Sequence, residues 1–130
     1  MYSVLVIEDH ATFAKALVRL LSQKSDLTIE AVVQNAEDAL EKLAQTKIDL
    51  ALIDVSLPRM NGIELARMIH ERFPELLCLM LSGHLTPFYV QRALEAGARG
   101  YVLKEDIPGV LEGIEQVLHG NIYISKALRT

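Results

Sequence analysis

The chain has 130 residues, enough for one domain built around one core. About half of the residues are hydrophobic (51%) and 23% are charged, a balance that predicts a soluble globular protein, and no apolar run approaches the ~18 residues of a membrane helix. Thirteen basic against seventeen acidic residues give a formal charge of −4, which argues against nucleic-acid binding by this domain alone, since phosphate neutralisation dominates such affinity.

The N-terminus, MYSVLVIEDH, lacks a basic leader and its apolar run is cut by two acids, so a secretory signal is not expected and the cytoplasm is. YSVLVI (Tyr2–Ile7) reads as a first strand. Phe13, Ala14, Leu17, Val18, Leu20 and Leu21 then fall on one helical stripe. LTIEAVVQ (Leu27–Gln34) is a second strand, and Asn35 caps a helix whose apolar face is Ala36, Ala39, Leu40 and Leu43. LALID (Leu50–Asp54) is a third strand. A helix from about Asn61 to Arg72 follows, stopped by Pro74.

LLCLMLS (Leu76–Ser82) is the fourth strand. It contains the only cysteine, Cys78, which can form no internal disulfide and reads as a small core residue. Thr86-Pro87 starts a helix with a hydroxyl cap and a proline at the first helical position, and Gly97 ends it. GYVLK (Gly100–Lys104) is the fifth strand. Asp106 caps a last helix with Ile107, Val110, Leu111, Ile114, Val117 and Leu118 inward. The end, NIYISKALRT, loses helical periodicity. It is expected to be a tail, or the start of a linker to an absent domain (121–130), after a domain spanning 1–120.

Five strands alternate strictly with five helices, which predicts an α/β fold with a parallel sheet covered by helices on both faces. Strands that are apolar throughout agree with burial on both sides. In such folds ligands bind beyond the carboxyl ends of the strands. Those ends carry Glu8, Asp9 and His10 after the first strand, Gln34 and Asn35 at the second, Asp54 at the third, Ser82 and Gly83 at the fourth, and Lys104 at the fifth.

Two carboxylates about 5 Å apart repel by roughly 3 kcal/mol at an effective dielectric near 20, and three are worse. A divalent cation removes the conflict. Oxygen ligands in an open cleft suit Mg²⁺, with Mn²⁺ as the substitute, better than zinc. Such an ion can also hold the oxygens of an incoming phosphoryl group. Lys104 adds a compact positive charge and Ser82 a hydroxyl donor. Asp54 is then the carboxylate placed to attack phosphorus and become an aspartyl-phosphate.

This constellation resembles the receiver domain of two-component response regulators over essentially the whole chain. The family places an acidic pair after strand one, an aspartate at the end of strand three, a Ser/Thr ending strand four and a lysine ending strand five. Here those are Glu8 and Asp9, Asp54, Ser82 and Lys104, and DVSLPRMNG matches the proline and glycine spacing after the aspartate. The resemblance implies a single doubly wound five-stranded sheet of flavodoxin-like, CheY-like order 2-1-3-4-5. It implies that Asp54 accepts phosphate from a sensor histidine kinase. Glu8, Asp9, Asp54 and the backbone carbonyl of Ser56 would hold Mg²⁺. Ser82 and Lys104 would read the phosphate, and Tyr101 would follow Ser82 by changing rotamer. Ser56 and His84 flank the site as candidates for tuning dephosphorylation.

GARGYVLKEDIPGVLEGIEQVLHGNIYIS resembles the NarL/FixJ type of receiver, which commonly precedes a helix-turn-helix domain. That implies phosphorylation switching the face formed by the fourth helix, fifth strand and fifth helix, homodimerisation, and control of transcription through an output domain for which this chain has no room. Exposed apolar positions on the first or last helix are candidates for the dimer face, unranked. Two departures stand out: Glu105 follows the lysine where many receivers have proline, and Ser82 replaces threonine.

Other functions are weighed on single positions. An aspartyl-phosphate phosphohydrolase of this fold would carry an acid two residues after the nucleophile, where this chain has Ser56. A flavodoxin-like cofactor module would cradle phosphate after the first strand, where EDHAT would repel it. A stand-alone or phosphate-independent receiver needs no acid set, and here the set is intact. The expectation is a phosphoacceptor switch rather than an enzyme, with at most slow self-phosphorylation from small donors and slow self-dephosphorylation. His10, His70 and His119 show no metal-ligand spacing and are assigned no chemistry.

Overall fold

A computed structural model describes residues 1–84 and 86–129; Leu85 and Thr130, the last residue of the expected tail, lie outside the described residues. The chain alternates β1 (Tyr2–Ile7), α1 (Ala11–Leu21), β2 (Leu27–Val33), α2 (Ala36–Gln45), β3 (Leu50–Asp54), α3 (Gly62–Arg72), β4 (Leu77–Ser82), α4 (Pro87–Glu95), β5 (Gly100–Leu103) and α5 (Ile107–Leu118). A two-residue strand, β6 (Tyr123–Ile124), and a 3₁₀ turn (Lys126–Leu128) complete it. All pairings are parallel, in the order β2-β1-β3-β4-β5-β6. The order 2-1-3-4-5 is therefore present. The expected tail extends it: Tyr123 and Ile124 pair with Gly100 and Tyr101 at the sheet edge.

Period-two alternation divides the central strands between two cores. Leu5, Ile7, Ala51, Ile53 and Met80 pack with α2, α3 and α4. Val4, Val6, Leu50, Leu52, Leu79 and Leu81 pack with α1 and α5. Each of these buried Val, Leu, Ile and Met side chains contributes roughly 2 kcal/mol. The edge strand β2 breaks the apolar-throughout expectation, since its residues alternate between half-buried and exposed. A register shift pairs Val4 with Ile29 but Leu5 with Ala31, leaving Glu30 as the extra residue. The shift turns Leu27 and Ile29 to the α1/α5 core but Ala31 and Val33 to the other.

Caps follow the sequence at two helices. Asn35 accepts from Asp38 N–H at 2.8 Å, and Asp106 accepts from Gly109 N–H at 3.0 Å. At α4 they do not: Thr86 makes no side-chain cap bond, and Pro87 alone sets the first turn. Gly97 leaves α4 at φ +108, where a Cβ would run into the His70 ring.

Candidate functional site

The ends of β1, β3 and β5 are each fixed by one backbone bond beyond the strand. Glu8 N–H donates to Val33, Val55 N–H to Leu81 and Lys104 N–H to Ser82, all at 2.9 Å. The side chains at these ends are therefore presented by rigid backbone. The loop after Asp54 then folds back. Arg59 takes a left-handed conformation (φ 66), Gly62 N–H bonds Val55 O at 2.8 Å, and Asn61 caps α3 through Glu64 N–H at 2.9 Å.

Glu8, Asp9, Asp54 and Lys104 meet at this edge. Asp54 and Glu8 are each 1% exposed. The Lys104 ammonium lies 2.9 Å from Glu8 Oε1, 3.1 Å from Glu8 Oε2 and 3.2 Å from Asp54 Oδ2. The contact with Oε2 has hydrogen-bond geometry. Those with Oε1 and Asp54 Oδ2 are off-axis and so chiefly electrostatic. The ammonium also stands 4.9 Å from the centre of the Phe13 ring. Asp54 Oδ1 accepts from Ser56 N–H at 3.0 Å.

Three carboxylates against one ammonium leave two negative charges uncompensated, with Glu8 and Asp54 buried. Asp54 Oδ2, Glu8 Oε1 and Asp9 Oδ1 are buried and accept no hydrogen bond from the described residues. Buried oxygens of that kind need a partner. The ligand atoms offered by Glu8, Asp9, His10 and Asp54 lie within 4.8 Å of one another. Oxygens on opposite sides of an octahedral Mg²⁺ stand about 4.2 Å apart, so small side-chain adjustments suffice. Charge, donor type and spacing all fit a hard divalent cation.

His10, assigned no chemistry from the sequence, stands at the rim of this pocket. Its ring, 69% exposed, places Nδ1 3.3 Å from Glu8 Oε2 and 3.6 Å from Asp9 Oδ1. The only signal for it was its position next to the acid pair.

Ser82 and Tyr101 are both fully buried. Ser82 Oγ accepts from His84 N–H at 3.0 Å, so its hydroxyl is turned into the following loop. Tyr101 points inward, and among the described residues its hydroxyl makes no hydrogen bond of good geometry, although the Ser82 hydroxyl stands nearby. Burial pushes that phenol above its ordinary value, while the neighbouring Ser82 hydroxyl acts in the opposite direction. The His84 ring is edge-on to Tyr89 of α4, 6.3 Å between centres. Ser56 is joined to the site through its amide rather than its side chain.

A protein-family model described as the response regulator receiver domain matches residues 4–115. Among curated relatives, the transcriptional regulatory protein DegU of Brevibacillus brevis is 33% identical over 122 residues, covering 93% of this chain and 52% of that one. The DNA-binding transcriptional activator DevR/DosR of Mycobacterium tuberculosis is 36% identical over 110 residues, covering 85% and 50%. The chain thus spans about half the length of the curated relatives it matches. A solved two-component response regulator of the LuxR family from Aurantimonas sp. SI85-9A1 superimposes with a TM-score of 0.94 at 26% identity, covering 98% of this chain and 92% of that one. Among the described residues, no helix is long and apolar enough to cross a membrane.

Proposed function

The chain belongs to the response-regulator receiver family, in its NarL/LuxR branch, and from that premise we propose that it is a phosphorylation switch whose acceptor is Asp54. The observation that carries this reading is the state of the Asp54 carboxylate. One oxygen is held by Ser56 N–H, and the other is buried, without a hydrogen bond, 3.2 Å from Lys104 and beside two further acids.

Glu8, Asp9, Asp54 and the Ser56 carbonyl would hold Mg²⁺, or Mn²⁺ in its place. When bound, the ion offsets negative charge on the phosphoryl oxygens. The carboxylate of Asp54 attacks the phosphorus of a phosphohistidine on a sensor kinase. The phosphorus–nitrogen bond breaks, its electron pair stays on the imidazole, and that nitrogen takes a proton from solvent. Lys104 exchanges Asp54 for a phosphoryl oxygen while keeping Glu8. An open apolar groove lined by Phe13, Leu17, Leu20 and Ile107 runs up to Lys104 and suits the kinase's approach.

Ser82 then gives up the His84 amide for the phosphoryl group, and the space it vacates fixes the rotamer of Tyr101. His84 and Ser56, at the mouth, set the access of hydrolytic water. A differential interaction of a few kcal/mol is enough to shift such an equilibrium. The output face is α4, β5 and α5, where Phe88 (58% exposed) stands in solvent. Its expression would be homodimerisation, and DNA binding through an output domain, in line with DevR/DosR being named a DNA-binding transcriptional activator.

The test is incubation with acetyl phosphate and Mg²⁺, followed by intact mass. One added phosphoryl group, absent from Asp54→Asn, supports the reading. No adduct, or one that survives Asp54→Asn, contradicts it. Steady phosphate release over many turnovers would identify a phosphohydrolase instead. Ser56, standing where such an enzyme has its acid, speaks for a slow switch.

A further inference from the structure

Ser125 lies beyond the stretch matched by the family model, in a segment that the sequence reads as a tail. It is nonetheless completely buried and hydrogen-bonded on every side. Its N–H donates to Tyr101 O at 3.0 Å, which extends the β5–β6 ladder by one rung. The strand stops there, so no carbonyl of β6 reaches the next donor on β5, Leu103 N–H. The Ser125 hydroxyl takes that place and accepts from Leu103 N–H at 3.0 Å. The same hydroxyl donates to Asp106 Oδ2 at 2.8 Å. A serine hydroxyl has one proton and two lone pairs, and this one uses its proton and a lone pair on the same loop.

Leu103 and Asp106 bracket Lys104. Leu103 precedes it, and Asp106 ends the turn after it, with Asp106 N–H donating to Leu103 O at 3.0 Å and Asp106 Oδ1 capping α5 through Gly109 N–H. On the other side Lys104 N–H is tied to Ser82 O. The lysine therefore hangs from two supports, β4 and a hydroxyl supplied from 21 residues downstream of it.

We propose that Ser125 is a positioning residue for phosphoryl transfer: its hydroxyl, bonded to Leu103 and Asp106, holds the short loop that aims Lys104 at Asp54. This rests on the reading of Asp54 as phosphoacceptor. The link makes the segment after α5 part of the active-site scaffold. Whatever pulls on that segment loosens the lysine, and whatever orders the lysine tightens the segment.

The experiment follows phosphorylation of the full chain by acetyl phosphate in Mg²⁺. Ser125→Ala is expected to slow the reaction about tenfold. Mg²⁺ is kept saturating for every variant, because Lys104 touches Glu8 and Asp54 and its loosening would itself alter metal binding. In a Lys104→Ala background the same substitution costs less than about twofold, because the lysine it positions is gone. A merely structural role would give the same loss in both backgrounds. Should Ser125→Ala not fold, Asp106→Ser cuts the link from the other end. It keeps a helix-capping hydroxyl but is too short to reach Ser125, and it is expected to show the same dependence on Lys104.

Unchanged phosphorylation in a folded variant, or equal losses with and without Lys104, overturns the proposal and leaves Asp54 as acceptor. If the unaltered protein takes no phosphoryl group on Asp54, the reading beneath the proposal fails and the proposal falls with it.

Discussion

Gly62 presses directly on the backbone of Asp54: a Cβ at position 62 would overlap the Asp54 carbonyl oxygen and touch the Ile53 side chain. The glycine in DVSLPRMNG is therefore required by close approach. It lets the start of α3 fold back against the strand end, where its N–H takes Val55 O. Gly62→Ala is expected to cost about 2–3 kcal/mol of stability, as overpacking against fixed backbone does. Denaturant unfolding measures this, and the Asp54 carboxylate would move with the displaced peptide.

Lys104 is the only ammonium on Glu8 and Asp54 among the described residues. Removing it leaves buried carboxylates facing each other. Lys104→Met is expected to lose about 3 kcal/mol in Mg²⁺-free buffer at neutral pH. Added Mg²⁺ should then raise the melting temperature of the variant more than that of the unaltered protein, because the ion supplies the missing charge and binds only the folded state. Parallel melts with and without Mg²⁺ check both statements.

Among the described residues, the buried Tyr101 hydroxyl makes no hydrogen bond of good geometry. An unsatisfied polar group of this kind costs about 1–3 kcal/mol. Tyr101→Phe is therefore expected to leave stability unchanged or to raise it by up to about 1 kcal/mol. Equilibrium unfolding in urea reads the sign.

Burial pushes the Cys78 thiol up from 9.0 to about 12. As pH climbs past 9.0, the unfolded chain gives up this proton while the folded chain keeps it. The unfolded state then binds fewer protons, so stability falls with rising pH across the window from 9.0 to about 12, by up to about 1.4 kcal/mol per unit. Cys78→Ala should remove that part of the alkaline slope. The native thiol should resist alkylation at neutral pH and react on unfolding.

The strands and helices of residues 2–118 were legible in the sequence because each carries its own period, cap or breaker, and the bounds differ from expectation by about one residue at Leu77, Val33 and Leu103. The convergence of Glu8, Asp9, Asp54 and Lys104 followed from topology, since parallel strands bring their carboxyl ends to one edge. Other features depend on partners distant in sequence. The two-residue β6 exists because α5 returns Tyr123 to Arg99 O and Ser125 to Tyr101 O. The extra residue at Glu30 turns β2 from one core to the other, which no local period announces. The Thr86 hydroxyl does not make its cap bond, and His10 reaches the acid pocket through a ring orientation that spacing does not encode.

The most direct measurement traps the acceptor itself. After incubation with acetyl phosphate and Mg²⁺, borohydride reduces an aspartyl-phosphate to homoserine, and peptide mass spectrometry locates it. The account predicts homoserine at position 54 alone, dependent on Mg²⁺ and abolished by chelation. Homoserine at Asp9 or elsewhere, or 2-amino-5-hydroxypentanoic acid at Glu8, with position 54 intact, or labelling of Asp54 indifferent to Mg²⁺, would contradict it.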